Sequence, residues 1–165
     1  MTYEEFVKGA KRLNKMNFSF EQGGMVFETF WNRIYTDGDY NLNYKEHRHS
    51  FYELHICMKG ECSMIIDKEK LTLLPGTFLI ISPKKPHKID TVSRDFSKLV
   101  LGIKIEPKNK SCALALKLFC EGNEKPKLRK TTDKMLRCID EMVENANSRL
   151  FNYYDITKLT FTRLL

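Results

Sequence analysis

His47-Arg48-His49-Ser50-Phe51-Tyr52-Glu53-Leu54-His55-Ile56-Cys57-Met58-Lys59-Gly60 is the stretch on which the reading of this 165-residue chain turns. Two imidazoles separated by one residue project from the same side of an extended strand, and Glu53 shares their parity. His87, on a later segment, would complete a cage of nitrogen and oxygen donors. Imidazole together with carboxylate suits Fe, Mn, Ni, Cu or Zn. The same atoms could instead hydrogen-bond a polar organic molecule, His through either ring nitrogen and Glu through its lone pairs. Periodicity taken by itself puts Glu53 and His55 on the wet face of a strand whose other face is Tyr52, Leu54, Ile56 and Met58.

Outward from this stretch the chain alternates short apolar runs with turn residues. Met25–Tyr35 is rich in aromatic and β-branched residues and ends at Asp37-Gly38. Phe51–Met58 ends at Lys59-Gly60, and Cys62–Asp67 is followed by a polar stretch to Lys70. Leu71–Leu74 meets Pro75-Gly76, where proline presets φ and glycine accepts the positive φ of a type II turn. Thr77–Ser82 stops at Pro83, and Phe96–Ile105 stops near Pro107. Within the last run Leu99, Leu101, Ile103 and Ile105 alternate with Lys98, Val100, Gly102 and Lys104, which predicts a strand with one buried face. Several strands at this spacing predict an all-β sandwich or barrel.

Helices flank the strands. Thr2 and Glu5 stand three apart as a capping box, and Phe6, Ala10 and Leu13 follow at helical spacing. Gly23-Gly24 break whatever precedes them, and the pattern changes to extended segments. Ser111–Phe119 reads as a short helix. Met135, Leu136, Ile139, Met142, Val143 and Ala146 form the stripe of an amphipathic helix from about Thr131 to Asn147, on which Arg137 and Glu141 can pair. A further helix starts near Asn152 or Asp155, with Ile156, Leu159 and Leu164 on its apolar side. It reaches Leu165 with no stop signal, which reads as the edge of a longer protein.

Apolar residues make up 42% of the chain and charged residues 30%, an ordinary globular balance that argues against disorder. No apolar run is long enough to cross a bilayer, and Met1 to Met16 lacks the apolar core of a secretory signal. The cytoplasm is the expected compartment and no membrane is an expected partner. The five cysteines are scattered without a CxxC pair, which predicts reduced thiols rather than a zinc knuckle. A net charge of +7 raises the question of nucleic acid. The lysines from Lys104 to Lys130 lack interleaved aromatics, however, so a solvated surface is the expectation.

The pattern His47-x-His49-x3-Glu53-x6-Gly60 resembles the first cupin motif, and Gly76, Pro83 and His87 resemble the second. The glycines of the enzyme-type pattern are displaced: Gly38 lies too far back, and Lys85-Pro86 replaces the one inside the second motif. With Tyr52-Glu53-Leu54, Pro75-Gly76, Phe78–Ile81, Pro83 and His87, the chain resembles the effector-binding and dimerisation domains of AraC-family transcription regulators. That resemblance implies a mainly β cupin (double-stranded β-helix, jelly-roll) barrel over residues 25–107. It implies an N-terminal helix and arm over 1–24 and a helical dimerisation segment over 108–165, ahead of a helix-turn-helix domain that this chain lacks. It also turns the odd-numbered face of the Glu53 strand into the barrel, with the even-numbered face packed beneath helices.

The functional expectation is a sensor that takes a small-molecule effector in a pocket of His47, His49, Glu53, His55 and His87. No cofactor is required. A divalent transition metal on His47, His49, Glu53 and His87 is the candidate one. Trp31 and Tyr40 could wall the pocket. The expected homodimer contact uses Ile156, Leu159 and Arg163, and DNA is met only through the absent domain. The alternative is a cupin metalloenzyme, a dioxygenase or isomerase on the same four ligands, with a carbohydrate-binding cupin as a third reading.

Overall fold

The computed structural model describes residues 2–35, 45–122, 125–148 and 151–164. Along the chain run α1 (Tyr3–Leu13), β1 (Phe18–Gln22), β2 (Met25–Tyr35), β3 (Tyr52–Lys59), β4 (Cys62–Ile66), β5 (Glu69–Leu73), β6 (Thr77–Ile81), β7 (His87–Val92) and β8 (Ser97–Pro107). Then follow α2 (Lys110–Gly122), β9 (Arg129–Lys130), α3 (Asp133–Ser148) and α4 (Tyr153–Leu164). The strands form a six-stranded sheet in the order β1-β2-β8-β3-β6-β9 and a three-stranded sheet in the order β5-β4-β7. Every pairing is antiparallel. This is the mainly β, cupin-type architecture expected, with helices on the outside of the larger sheet.

Turn chemistry sets the hairpins. Gly23 and Gly24 both have positive φ and close the β1–β2 hairpin. The arm anticipated over residues 1–24 therefore contains a strand, β1, whose Phe18 faces Thr29. Gly76, at φ 79°, completes the turn in which the Thr77 N–H donates to Leu74 O over 3.0 Å.

Two apolar layers result. The inner one lies between the sheets and includes Cys57, Met64, Leu73, Leu79 and Ile81. The outer one packs Leu54, Ile56, Leu99 and Leu101 of the large sheet against α1, α3 and α4. Both faces of β3 are thus buried, because Tyr52, Leu54 and Ile56 look out to the helices while Glu53, His55 and Cys57 look in. The capping box at Thr2 and Glu5 forms, and so does the α3 stripe, with Cys138, Ile139, Met142, Val143 and Ala146 buried. The Arg12 guanidinium meets the Asn147 carbonyl near the C-terminus of α3, tying α1 to it. The two-residue strand β9 pairs with the edge of β6, Thr77 against Lys130 and Phe78 against Arg129. All five cysteines are free thiols.

Helix α4 departs from expectation. Its core face is Thr157, Thr160, Phe161 and Leu164, while Ile156 and Leu159 are 43% and 66% exposed. The threonines can go inside because each hydroxyl donates to the carbonyl one turn back, Thr157 to Tyr153 at 2.6 Å and Thr160 to Ile156 at 3.0 Å. Satisfied in this way, they pack as small apolar residues. The pairing expected between Arg137 and Glu141 is replaced by Arg163 of α4, whose Nη1 donates to Glu141 at 2.9 Å.

Candidate functional site

The cluster forms where the segment before β3 crosses the start of β7. His47 and His49 precede β3 rather than lying on it. The backbones of His47 and His87 exchange hydrogen bonds of 3.0 and 2.9 Å, forming an isolated bridge. This bridge brings the His49 ring, Glu53 and the His87 ring into one place. One carboxylate oxygen, Glu53 Oε2, lies 3.2 Å from His49 Nε2, 3.1 Å from His87 Nε2 and 2.9 Å from His55 Nε2. The Glu53 and His87 residues are 2% and 1% exposed. His49 is half-buried and stacks on Phe51 with ring centroids 3.9 Å apart.

The far nitrogens of these rings decide what the near ones can be. His49 Nδ1 lies 2.8 Å from Phe51 O, and His87 Nδ1 lies 2.9 Å from Lys85 O. A carbonyl only accepts, so each Nδ1 carries the hydrogen, and a neutral ring then directs its Nε2 lone pair at Glu53. Two lone pairs aimed at a carboxylate repel unless a cation lies among them. His87 Nε2 is buried and makes no hydrogen bond of acceptable geometry despite its closeness to Glu53. The ligand atoms of His49, Glu53 and His87 all lie within 4.8 Å of one another. Imidazoles anchored through Nδ1–H on backbone carbonyls, with Nε2 free beside a carboxylate, are the arrangement that holds a divalent transition metal. The residues present fit such an ion.

His55 is wired differently. The Lys98 ammonium lies 3.2 Å from His55 Nδ1, and since ammonium only donates, Nδ1 accepts and the Nε2–H donates to Glu53. Lys98 is 2% exposed, with its Nζ 5.6 Å from the Tyr35 ring centroid and 5.7 Å from that of Phe96. Burial first, and then the Lys98 charge, push the His55 imidazole down to about 4, so it is neutral at pH 7. Burial likewise lowers Lys98, partly opposed by Cys62, Glu53 and Cys57. Burial alone would raise Glu53. Its interaction with His55, whose Nε2–H donates to it, opposes that and holds it below the usual carboxylate range.

Four of the five anticipated pocket residues therefore meet, and His47 does not join their donor atoms. Its ring sits 4.2 Å from the His87 ring and 6.2 Å from that of His49, centroid to centroid, and its Nδ1 lies 3.0 Å from Lys45 O. Its part in the site is through the backbone bridge. The cluster of ligand atoms is accordingly His49, Glu53 and His87, without His47. Lys98 is the residue that the sequence reading missed. The Trp31 side chain and Tyr40 lie outside the described residues, and Ile156, Leu159 and Arg163 are on the outer side of α4.

Behind β3, on the opposite side of the sheet from the cluster, a cavity of about 300 Å³ lies between the sheet and α2. Tyr52, Leu54, Ile103, Leu116 and Phe119 are among the residues that line it, and none of His47, His49, Glu53, His55 or His87 does.

A family model described as the AraC-like ligand binding domain matches residues 33–146. No curated protein matches the chain. Among solved structures, apo ToxT from Vibrio cholerae strain SCE256 is similar at 13% identity and a TM-score of 0.49, covering 86% of this chain and 54% of that one. An oxalate decarboxylase from Bacillus subtilis is similar at 12% identity and a TM-score of 0.36, covering 54% of this chain and 28% of that one. A cupin superfamily protein from Desulfitobacterium hafniense DCB-2 is similar at 19% identity and a TM-score of 0.33, covering 57% of this chain and 77% of that one. The chain thus spans about half the length of the ToxT chain it matches.

Proposed function

The chain belongs to the AraC-like ligand-binding domain family, and from that premise we propose that it is the effector-sensing and dimerisation part of a cytoplasmic transcription regulator. The observation that carries the reading is the convergence of His49, Glu53 and His87 beside the partly exposed His47. A divalent transition metal held by those three residues would supply a Lewis-acidic anchor for an oxygen of a polar effector. Beneath the cluster lies the apolar inner layer, so in this reading the effector meets the cluster from the side of His47. His55 and Lys98 hold the Glu53 oxygen in place from behind. Being buried there, they are poorly placed to act on a bound molecule, which favours a receptor over the metalloenzyme reading.

For binding to regulate anything, the effector must prefer one arrangement of the flanking helices to another. The outward Ile156 and Leu159 of α4, with Arg163 beside them, are the surface we assign to the homodimer. DNA is reached through a helix-turn-helix domain outside this chain.

Calorimetric titration of the chelator-treated chain with zinc, nickel and manganese ions tests the site. We expect saturation at one ion per chain, lost in His87→Ala and weakened at least tenfold in Glu53→Gln. Absence of saturable binding of any of the three ions rejects the metal anchor. Turnover of a candidate substrate by the metal-loaded chain would transfer the assignment to an enzyme.

A further inference from the structure

The cavity beneath α2 has walls of a different chemistry from the barrel cluster. Phe27 of β2, Tyr52 and Leu54 of β3, Ile103 of β8, and Leu116 and Phe119 of α2 are among the residues that line it, and among the described residues no charged side chain does. We propose that this cavity is a second ligand site, which takes a neutral, aromatic-sized hydrophobe carrying at most one hydroxyl group.

Three observations support the assignment independently of the metal cluster. First, size: an apolar cavity of about 150 Å³ holds a single benzene ring, so the roughly 300 Å³ here corresponds to two fused rings. Second, α2 is held away from the sheet it covers. No described residue of α2 is fully buried, although Leu116 and Phe119 face the cavity. The sheet residues beneath, Phe27 and Ile105, are likewise only half-buried. The apolar surface on both sides is thus left part-covered, and a guest between them would complete its removal from water. Third, the lining offers one polar handle. The Tyr52 hydroxyl enters with the wall and contacts Cys120 Sγ, and its ring meets that of Phe119 edge-on at 5.9 Å between centroids. A hydroxyl on the guest could share that partner, while an aromatic body could extend the edge-to-face pair. A carboxylate or ammonium seated among these walls would be desolvated with no opposite charge on the described lining to meet it, so ionised ligands are disfavoured.

The location gives the site a route to the rest of the molecule. Leu116 and Cys120 pack against the same apolar layer that holds α3 and α4. A guest that lifts or seats α2 therefore acts on the layer under the helices, without passing through the barrel.

The probe is 2-naphthol, titrated into the 165-residue chain by calorimetry and followed by ligand-observed NMR, with 2-naphthoate as the charged counterpart. We expect saturable binding at one per chain, with a dissociation constant at or below about 100 µM, and at least tenfold weaker binding of 2-naphthoate. Ala115→Trp, at an exposed position on the cavity rim, should fill the space without touching the core and weaken 2-naphthol at least tenfold. Leu116→Trp should do the same from the inner wall, and thermal melting checks that both variants remain folded. The affinity should be unchanged by EDTA, because no metal ligand faces this cavity, so failure here is separable from failure of the metal anchor. Equal binding of naphthol and naphthoate, undiminished binding by both tryptophan variants, or loss of binding on adding EDTA would each overturn the assignment.

Discussion

Acidifying the metal-free chain from about pH 7.5 to about pH 5 should cost it about 2 kcal/mol of stability through His55 alone. Folding takes this imidazole from its ordinary value of 6.5 to about 4. At 1.36 kcal/mol per unit, the full difference is about 3 kcal/mol. The sign follows from which state takes the proton first. Below about 6.5 the unfolded histidine binds a proton that the folded one refuses, so His55 is without penalty above that pH and costs progressively more as the pH falls toward 4. Glu53, lowered in the folded state, adds its own loss only below about 4.5, outside the interval chosen. The assay is urea denaturation in EDTA at the two pH values, run in parallel on His55→Gln. Glutamine can still donate to Glu53 and accept from Lys98 but cannot titrate, so the variant should lose about 2 kcal/mol less than the wild type. Parallel losses in the two proteins, or a His55 ring that titrates near 6.5 by NMR, would refute the reasoning.

Other expectations follow from neighbouring features. Lys98→Met removes the charge that, after burial, contributes most to holding His55 down, so the NMR titration of His55 should move upward toward its ordinary value. Gly9→Ala would place a Cβ 2.4 Å from Val143 O, where α1 crosses α3, and should cost about 1–3 kcal/mol, seen as a melting temperature several degrees lower. Leu159→Glu, on the exposed side of α4, should weaken self-association at least tenfold in sedimentation equilibrium while leaving the melting of the dissociated chain within about 0.5 kcal/mol. A variant that dimerises as well as the wild type would remove α4 from the interface.

The strands around Glu53 were legible because their signals are local. The extended run of β8, the Pro75-Gly76 turn and the parity of Glu53 with His55 all survive in the folded chain, although both faces of β8 are buried where one was expected. The residues that escaped depend on contacts far apart in sequence. Periodicity reads Lys98 as solvated, since a lysine beside Leu99 on a strand usually faces water. It is buried because both faces of β8 are covered, and because Cys57 across the ladder places it next to His55. His47 has the spacing of a ligand, but its backbone is engaged by His87, and that pairing sends its ring to the flank of the cluster. On α4, isoleucine and leucine outrank threonine on any hydropathy scale, yet Thr157 and Thr160 are inside. Their hydroxyls find carbonyls in their own helix, a compensation that no hydropathy pattern records. The cavity under α2 was invisible for a related reason: it arises from how far a helix stands off a sheet.

The small strand β9 has a mechanical consequence. By hydrogen-bonding to the rim of β6, with the Thr131 N–H also donating to Gly76 O at 2.8 Å, it rivets the polypeptide to the sheet between α2 and α3. Strain generated in α2 arrives at a fixed post and is not handed along the main chain. Whatever reaches α4 from that side must travel sideways, through side chains shared beneath the helical layer, and severing the rivet should loosen the fold without severing the message.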